Sequence, residues 1–564
     1  MTGSPLILVT VADDSKRSQL RRDLSRRFGG DYRVVSVGHD DAAGELDRLA
    51  HRREPVAAVI AEPVSGTLAG LEYLALVRDR HRGARRILLV ERGGWRHHPV
   101  RQAMVLGQVD GYLFDPWFPL EQWLYLPMAE YLADYDRTRT PERVAFTMVG
   151  TRWDRRSHQL RDILARASIP FEFLSPDSTE GRTALRRAGQ DGSRLPVLCI
   201  HTGTVLVDPT DLELVDELGF PSAAEGVDCD VAIVGAGPSG MSAAVYAASE
   251  GLRTTVVDPS VPGGQAGTSS MIRNYLGFPR GVSGAELTNR ALEQAWLFGT
   301  EFFLAQRAVR LDAEGTHRVI TLAGGARITA RAVVLATGVA WRRLEVPALE
   351  ALVGAGVFYG AAGSEAAALA GTDVLVVGGG NSAGQAAVHL AKWAAQVTIV
   401  IRRTSLTATM SDYLVREVVG TPNIRIQSDS EVVDGGGSGH LQWVALRARS
   451  TGSSTTVPAA ALFVMIGAEP PTEWLDGTIE RDDHGYLLTG ADLPAGRWSQ
   501  SRPPLYLETS MPGVFAVGDV THGASRRVAP SVGSGAVAVQ LIHGYLEGLP
   551  ERERTTGNRP TPLG

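Results

Sequence analysis

The sequence predicts a multidomain α/β protein whose C-terminal two-thirds is built around two dinucleotide-binding βαβ units. Three observations carry that expectation. First, an apolar strand runs into a glycine turn and a helix twice, at Gly235 and at Gly378; Asp258 closes the next strand 23 residues after Gly235, and Arg402 does so 24 residues after Gly378. Second, strand-like and helix-like segments alternate through the N-terminal third. Third, glycine supplies 63 of 564 residues, above the usual share of about 7%, as expected where backbone turns tightly or lies against a ligand.

The length suggests three to five domains at roughly 150 residues each. With 44% hydrophobic and 21% charged residues the chain has material for several cores. A net charge of -6 gives no general attraction to nucleic acid or acidic lipid, and the basic cluster 78–86 reads as a solvated helix end. The best apolar run, 459–468, is too short to cross a bilayer. The segment 1–10 lacks the cationic leader and apolar core of a secretory signal, so a cytoplasmic protein is expected. Cys199 and Cys229 are the only cysteines. They form no C-x-x-C pair, so neither a disulfide framework nor a thiolate metal site is expected. Arg96-His97-His98 has no spaced partner ligands and reads as a loop, leaving no metal site.

In the first unit, residues 230–234 (DVAIV) lead into Gly235-Ala236-Gly237-Pro238-Ser239-Gly240, a helix, strand 254–257 and Asp258. Gly235 permits the turn, Gly237 admits a pyrophosphate, and Gly240 allows helix and strand to pack; Asp258 can accept from ribose hydroxyls. In the second, strand 374–377 leads into Gly378-Gly379-Gly380-Asn381-Ser382-Ala383, a helix to Trp393, and strand 397–401 ending in Arg402-Arg403. An acid there would repel a 2′-phosphate, whereas a guanidinium pair holds one. The first unit therefore suits an unphosphorylated adenosine ribose and the second NADPH. Strand 333–338 (VVLATG) ends in small residues that can lie against a dinucleotide. Strand 513–519 (GVFAVGD) ends in Asp519, placed to bond ribityl hydroxyls, ahead of a helix over 528–546 whose N-terminus can favour an anionic reduced flavin.

From about Asp228 to Leu549 the chain resembles the low-molecular-weight thioredoxin reductases, through GAGPSG, Gly263-Gly264-Gln265, Asn274 with the following LGFP, VVGGGNSA, Arg402-Arg403 and GVFAVGD. The resemblance implies an FAD domain split over 228–344 and 468–549, with an NADPH domain inserted at 345–467. It implies an FAD site made by Gly235, Gly237, Pro238, Ser239, Gly240, Asp258, Gly264, Gln265, Asn274, Thr337, Gly338, Gly518, Asp519, Arg526, Arg527 and Val528, with Gly264, Gln265 and Asn274 nearest the flavin. The NADPH site would comprise Gly379, Gly380, Asn381, Ser382, Ala383, Arg402 and Arg403. Members are commonly homodimers that alternate between two domain orientations. This sequence departs from the family where the redox cysteine pair would stand, carrying Gly360, Ala361, Ala362 and Gly363 instead. Such residues cannot relay electrons to an external disulfide. Hydride entry from NADPH to flavin N5 survives, with no catalytic side chain required. The expected function is an FAD-dependent NADPH oxidoreductase that reduces a non-disulfide acceptor, such as a quinone, an electron carrier or a protein. A flavin-based redox sensor, or a thioredoxin-disulfide reductase using thiols supplied elsewhere, are the alternatives. Trp341 and Tyr359 read as core aromatics, and 550–564 as a disordered tail.

The N-terminal third adds two modules. Residues 1–136 resemble a response-regulator receiver domain: Asp13-Asp14 match its acid pair, Glu62 stands at the phosphoacceptor position, Glu91 at the hydroxyl position and Asp115 at the lysine position. These departures imply a pseudo-receiver used for docking or dimerisation. Residues 141–220 resemble a thioredoxin or glutaredoxin domain, with strands 144–149 and 171–174, a helix over 158–168, and Pro196 at the cis-proline position. Its thiol segment reads Trp153-Asp154-Arg155-Arg156-Ser157, without cysteine, and Cys199 reads as apolar filler. Linkers are expected at 134–142 and 221–228.

Overall fold

The computed structural model describes residues 4–62, 69–81, 83–91, 108–139, 145–221, 226–269, 272–278, 281–360 and 366–549. Expectations for Arg96-His97-His98, Ala361, Ala362 and Gly363, and the tail 550–564 lie outside them, as does part of the 78–86 cluster. The chain forms two compact units, Met1–Arg143 and Val144–Gly564.

The first unit alternates β1 (Leu6–Thr10), α1 (Asp14–Phe28), β2 (Arg33–Val37), α2 (Ala42–His51), β3 (Val56–Ala61), α3 (Ala69–Arg80), β4 (Arg85–Glu91), β5 (Gly111–Asp115) and, after a π-helical turn, α4 (Leu126–Arg139). Its parallel sheet runs β2-β1-β3-β4-β5, a doubly wound order. β1 is buried throughout: Ile7 and Val9 join a core with Leu20 and Leu24, while Leu6 and Leu8 join another with Leu46 and Leu74. The two-residue period of a strand sends alternate side chains to opposite faces, and helices cover both. The linker expected at 134–142 is helical up to Arg139 instead. Tyr131, Leu132 and Tyr135 bury against this core, and Arg85 Nη2 donates to the Asp134 carbonyl at 2.7 Å.

The second unit opens with β6 (Phe146–Val149), α5 (Arg155–Arg166), β7 (Phe171–Leu174), α6 (Thr179–Arg187), β8 (Val197–Ile200), β9 (Val205–Val207) and α7 (Asp211–Glu217). The sheet order is β7-β6-β8-β9, with β6 parallel to β7 and antiparallel to β8; the Leu195-Pro196 bond is cis. α5 begins three residues before the expected His158, because the Asp154 carboxylate caps it by accepting from the Ser157 N–H at 2.7 Å.

The first glycine turn follows β10 (Val227–Val234) and precedes α8 (Pro238–Ser249), β11 (Thr254–Val257), α9 (Gly284–Leu297) and β12 (Glu301–Phe303). β13 (Ala308–Glu314), β14 (His317–Leu322) and β15 (Arg327–Leu335) complete the path β12-β11-β10-β15-β14-β13. The chain leaves at β16 (Ala340–Trp341) to build β17 (Val357–Tyr359), β18 (Asp373–Val377), α10 (Asn381–Leu390), β19 (Gln396–Val400), α11 (Asp412–Gly420) and β20 (Ile424–Gln427). A hairpin sheet of β21 (Ser430–Gly436), β22 (Trp443–Ala448) and β23 (Ser454–Pro458) follows, then β24 (Ala461–Val464), which completes a parallel sheet ordered β17-β24-β18-β19-β20. β25 (Ala468–Glu469) pairs antiparallel with β16 on the way back, and β26 (Val514–Ala516) adds a parallel seventh strand to the first sheet beside β15, followed by α12 (Val528–Glu547). Among the described residues no helix is long and apolar enough to cross a membrane.

Candidate functional site: a dinucleotide cavity fed by two glycine turns

Both turns are constrained by backbone that crowds them. Gly235 sits at φ +111°, where a Cβ would lie 2.3 Å from the Ala336 carbonyl oxygen; Gly378 sits at φ +141°, where a Cβ would lie 2.3 Å from that of Met465. The left-handed backbone and the close approach together leave room only for hydrogen. Gly237 and Gly380 are the N-caps of α8 and α10, with no side-chain cap at either. The first N–H groups of both helices are therefore available to an anion.

A cavity of about 1060 Å³ opens over the first turn. Gly235, Gly237, Pro238, Ser239, Asp258, Gly264, Gln265, Thr337, Gly338, Asp519, Arg526, Arg527 and Val528 line it. Gly240 and Gly518 stand one layer behind: a Cβ on Gly240 would meet the Gly235 carbonyl, and one on Gly518 would meet Ser239 Oγ. Asp258 is buried and accepts from the Ala236 N–H at 2.7 Å and the Ser260 N–H at 2.8 Å. Burial pushes its pKa up, against those bonds and the nearby Arg166 charge. Asp519 is likewise pushed up by burial, opposed by the Ser531 hydroxyl at 3.3 Å and the charge of Arg526. Gln265 Nε2 donates to the Val339 carbonyl at 2.6 Å. Arg526 lies over the Tyr486 ring, 5.3 Å from its centroid.

Asn274 departs from expectation: it is exposed and away from the cavity wall. Ile272 bridges Val282, and Asn274 follows that bridge on the exposed side. Trp341 and Tyr359 line the cavity; Tyr359 also packs on the core around Leu349 and Val357, with its hydroxyl bonded to Glu350 and accepting from the Leu344 N–H at 3.1 Å.

At the second turn, Ser382 lines the same cavity, joined by Gln385 and His389 from α10, whereas Gly379, Gly380, Asn381, Ala383, Arg402 and Arg403 do not. Asn381 exchanges hydrogen bonds with Ser411, at 2.9 Å to its hydroxyl and 2.8 Å from its N–H. Arg402 and Arg403 are exposed just past the end of β19. Gly360 is at φ +92°, where a Cβ would come within 2.5 Å of Trp341 Nε1. Cys229 is buried on β10, and burial pushes its thiol up to about 12; burial raises Cys199 as well.

The lining residues that escape sequence reasoning include His158, Asp162 and Arg166, all on α5 of the 145–220 module. Their helix reads as an ordinary amphipathic one carrying buried Leu160, Ile163 and Leu164, and no local pattern marks its other face.

Residues 229–539 match the family model described as pyridine nucleotide-disulphide oxidoreductase. The chain belongs to that family. It is 32% identical over 332 residues to a thioredoxin reductase of Streptomyces clavuligerus, covering 59% of this chain and 98% of the relative. It is 31% identical to one of Bacillus subtilis, covering 58% and 97%. The crystal structure of Lactococcus lactis thioredoxin reductase superposes with a TM-score of 0.51 at 28% identity, covering 57% of this oxidoreductase and all of that chain. Thioredoxin-reductase-like members use FAD and NADPH. The first cavity fits the former. Thr337 Oγ1 is buried in its wall with no hydrogen-bond partner, a polar atom that a ligand would satisfy. No Cβ stands between Gly237 and the uncapped α8 N-terminus, and a Cβ at that position would meet nothing within 4 Å.

Proposed function

We propose that this FAD-dependent oxidoreductase takes hydride from NADPH and passes the electrons to a non-disulfide acceptor, such as a quinone, an electron carrier or a protein partner. One observation carries the reading: both dinucleotide turns are retained, while the chain has Gly360-Ala361-Ala362-Gly363 where the resembled reductases keep their cysteine pair. Both remaining thiols are raised by burial and stay protonated near neutral pH. Gly235, Gly237 and Ser239 with the α8 N–H groups would hold the FAD pyrophosphate, Asp258 a ribose hydroxyl, and Asp519 the ribityl chain. The α10 N-terminus would hold the NADPH pyrophosphate, and Arg402 with Arg403 its 2′-phosphate. Bound FAD supplies the two-electron relay. The protein's part is to orient the rings and exclude water: Trp341, Tyr359 and Trp474 wall the cavity, and no side chain needs to move a proton. The first unit we read as a pseudo-receiver, and residues 141–220 as a thioredoxin-like module without the cysteine pair, serving docking or homodimerisation.

The test is anaerobic mixing of the full-length yellow protein with NADPH. The visible flavin absorbance is expected to bleach and to return with a quinone or dye. A flavin that keeps its absorbance overturns the proposal, and reduction of added thioredoxin restores the disulfide reading. A flavin-based sensor is the second reading. It is favoured by the module's contacts with both nucleotide domains, through Arg166 with Ser260 and Trp153 with His440. Rapid multiple turnover with a quinone would argue against it.

A further inference from the structure

We propose that Arg166, carried by the 145–220 module, is a binding residue for the adenosine half of the dinucleotide at the first glycine turn, so that this module completes the FAD site. The inference rests on the reading of that turn as the FAD site and adds a residue from outside the family-matched region 229–539.

Arg166 ends α5 with its side chain only 17% exposed. Nη2 donates to Ser260 Oγ at 2.9 Å, and Nε lies 2.9 Å from Asp162 Oδ2. The guanidinium is thus held on two sides in the cavity wall, beside the strand-end acid Asp258. Each Asp258 oxygen already accepts one backbone N–H, from Ala236 and from Ser260. The acid alone cannot offer donors to ligand acceptors, whereas a guanidinium has five N–H groups and Arg166 spends few of them on protein. Arg307, Arg526 and Arg527 are further cations in this wall, contributed by the nucleotide domain itself. A fixed positive charge here offsets the buried carboxylate and faces an anionic dinucleotide, where charge-assisted bonds are the strong ones.

The module is also built into this site. Phe146, Met148 and Leu160 share one continuous hydrophobic core with Val231, Ile233 and Phe515. Asn289 of α9 donates through Nδ2 to the Ala167 carbonyl at 3.1 Å, directly after Arg166. Trp153 stacks on His440 at 5.4 Å and 13°, and His158 lies 5.1 Å from the Phe358 ring. Arg166 is therefore placed by packing on both sides, as a binding residue must be.

The experiment measures dissociation constants of FAD and ADP for full-length apoprotein, wild type against Arg166→Met and Arg166→Lys. Arg166→Met is expected to weaken FAD and ADP by the same factor, roughly tenfold or more for a lost charged hydrogen bond, with Arg166→Lys recovering part of it. Ser260→Ala, which frees the guanidinium without removing it, is expected to weaken both less. Unchanged FAD binding in Arg166→Met overturns the inference. So does a loss for FAD that ADP does not share, or a wild-type apoprotein that binds FAD but not ADP. If wild type binds no FAD, the parent reading fails instead. Far-UV circular dichroism separates misfolding, and Ser260→Ala tests the same wall with α5 intact.

Discussion

Lys16 reaches from the first turn of α1 to the end of β5, where its ammonium donates to Asp115 Oδ2 at 2.5 Å. That bond raises its pKa, burial opposes it, and the charges of Asp115, Glu62 and Glu91 add to it. The acids gathered at the strand ends are thus neutralised from within, by a cation one helix turn past Asp13-Asp14. A lysine raised above its ordinary value of 10.5 contributes stability that is full below that pH and is lost as pH rises through the folded value. Lys16→Met should therefore speed amide exchange in β1 and β5 of the full chain at pH 7, and the gap from wild type should close above pH ~10.5. In the second unit, Arg402 and Arg403, exposed just past β19, are the residues proposed above to hold the 2′-phosphate. The double alanine variant is expected to raise KM for NADPH by roughly ten- to a hundredfold while leaving that for NADH nearly unchanged. Steady-state titration with both nucleotides checks it, and equal losses for the two would remove the 2′-phosphate argument.

β26 delivers Asp519 to the cavity, and an ion pair between buried Glu508 and partly exposed Arg502 anchors its approach. Glu508 is fully buried; it accepts from Arg502 at 2.6 and 2.7 Å, from the Leu505 N–H at 2.9 Å and from the Gly513 N–H at 2.9 Å. Arg502→Ala would strand that carboxylate, at a cost of about 3 kcal/mol. It should lower the denaturant midpoint for flavin release, while Arg502→Lys recovers part of the loss. Elements of this kind divide by how local their cause is. The turns at Gly235 and Gly378 are legible in the sequence because a strand, a glycine and a helix within a dozen residues define them sterically. Asn274 is not, since its exposure follows from an Ile272–Val282 bridge that joins residues ten apart. The end of α4 is not, because Tyr135 gains its helical place only by burial in a core assembled from distant strands. Arg166 is the furthest case: its partner Ser260 is 94 positions away, and no periodicity in α5 points to it.

Within the second unit, the described residues pair an FAD-type turn and an NADPH-type turn around one cavity, with α10 contributing Ser382, Gln385 and His389 to the wall that Asp258 and Asp519 also form. The cavity wall is thus built from elements of three sheets, not of one domain. The connection between two of them is slight. The outgoing chain at Ala340–Trp341 and the returning chain at Ala468–Glu469 are hydrogen-bonded neighbours, standing about 5 Å apart as adjacent strands do. The chain between them leaves and returns through that one strand pair, and packs besides on the 145–220 module through Phe358 and His440, so in chain order the 342–467 segment is a cassette. A short turn, or an unrelated fold whose two ends meet at that spacing, could replace it without cutting a strand of the seven-stranded sheet, which gives natural gene exchange and laboratory grafting the same place to cut.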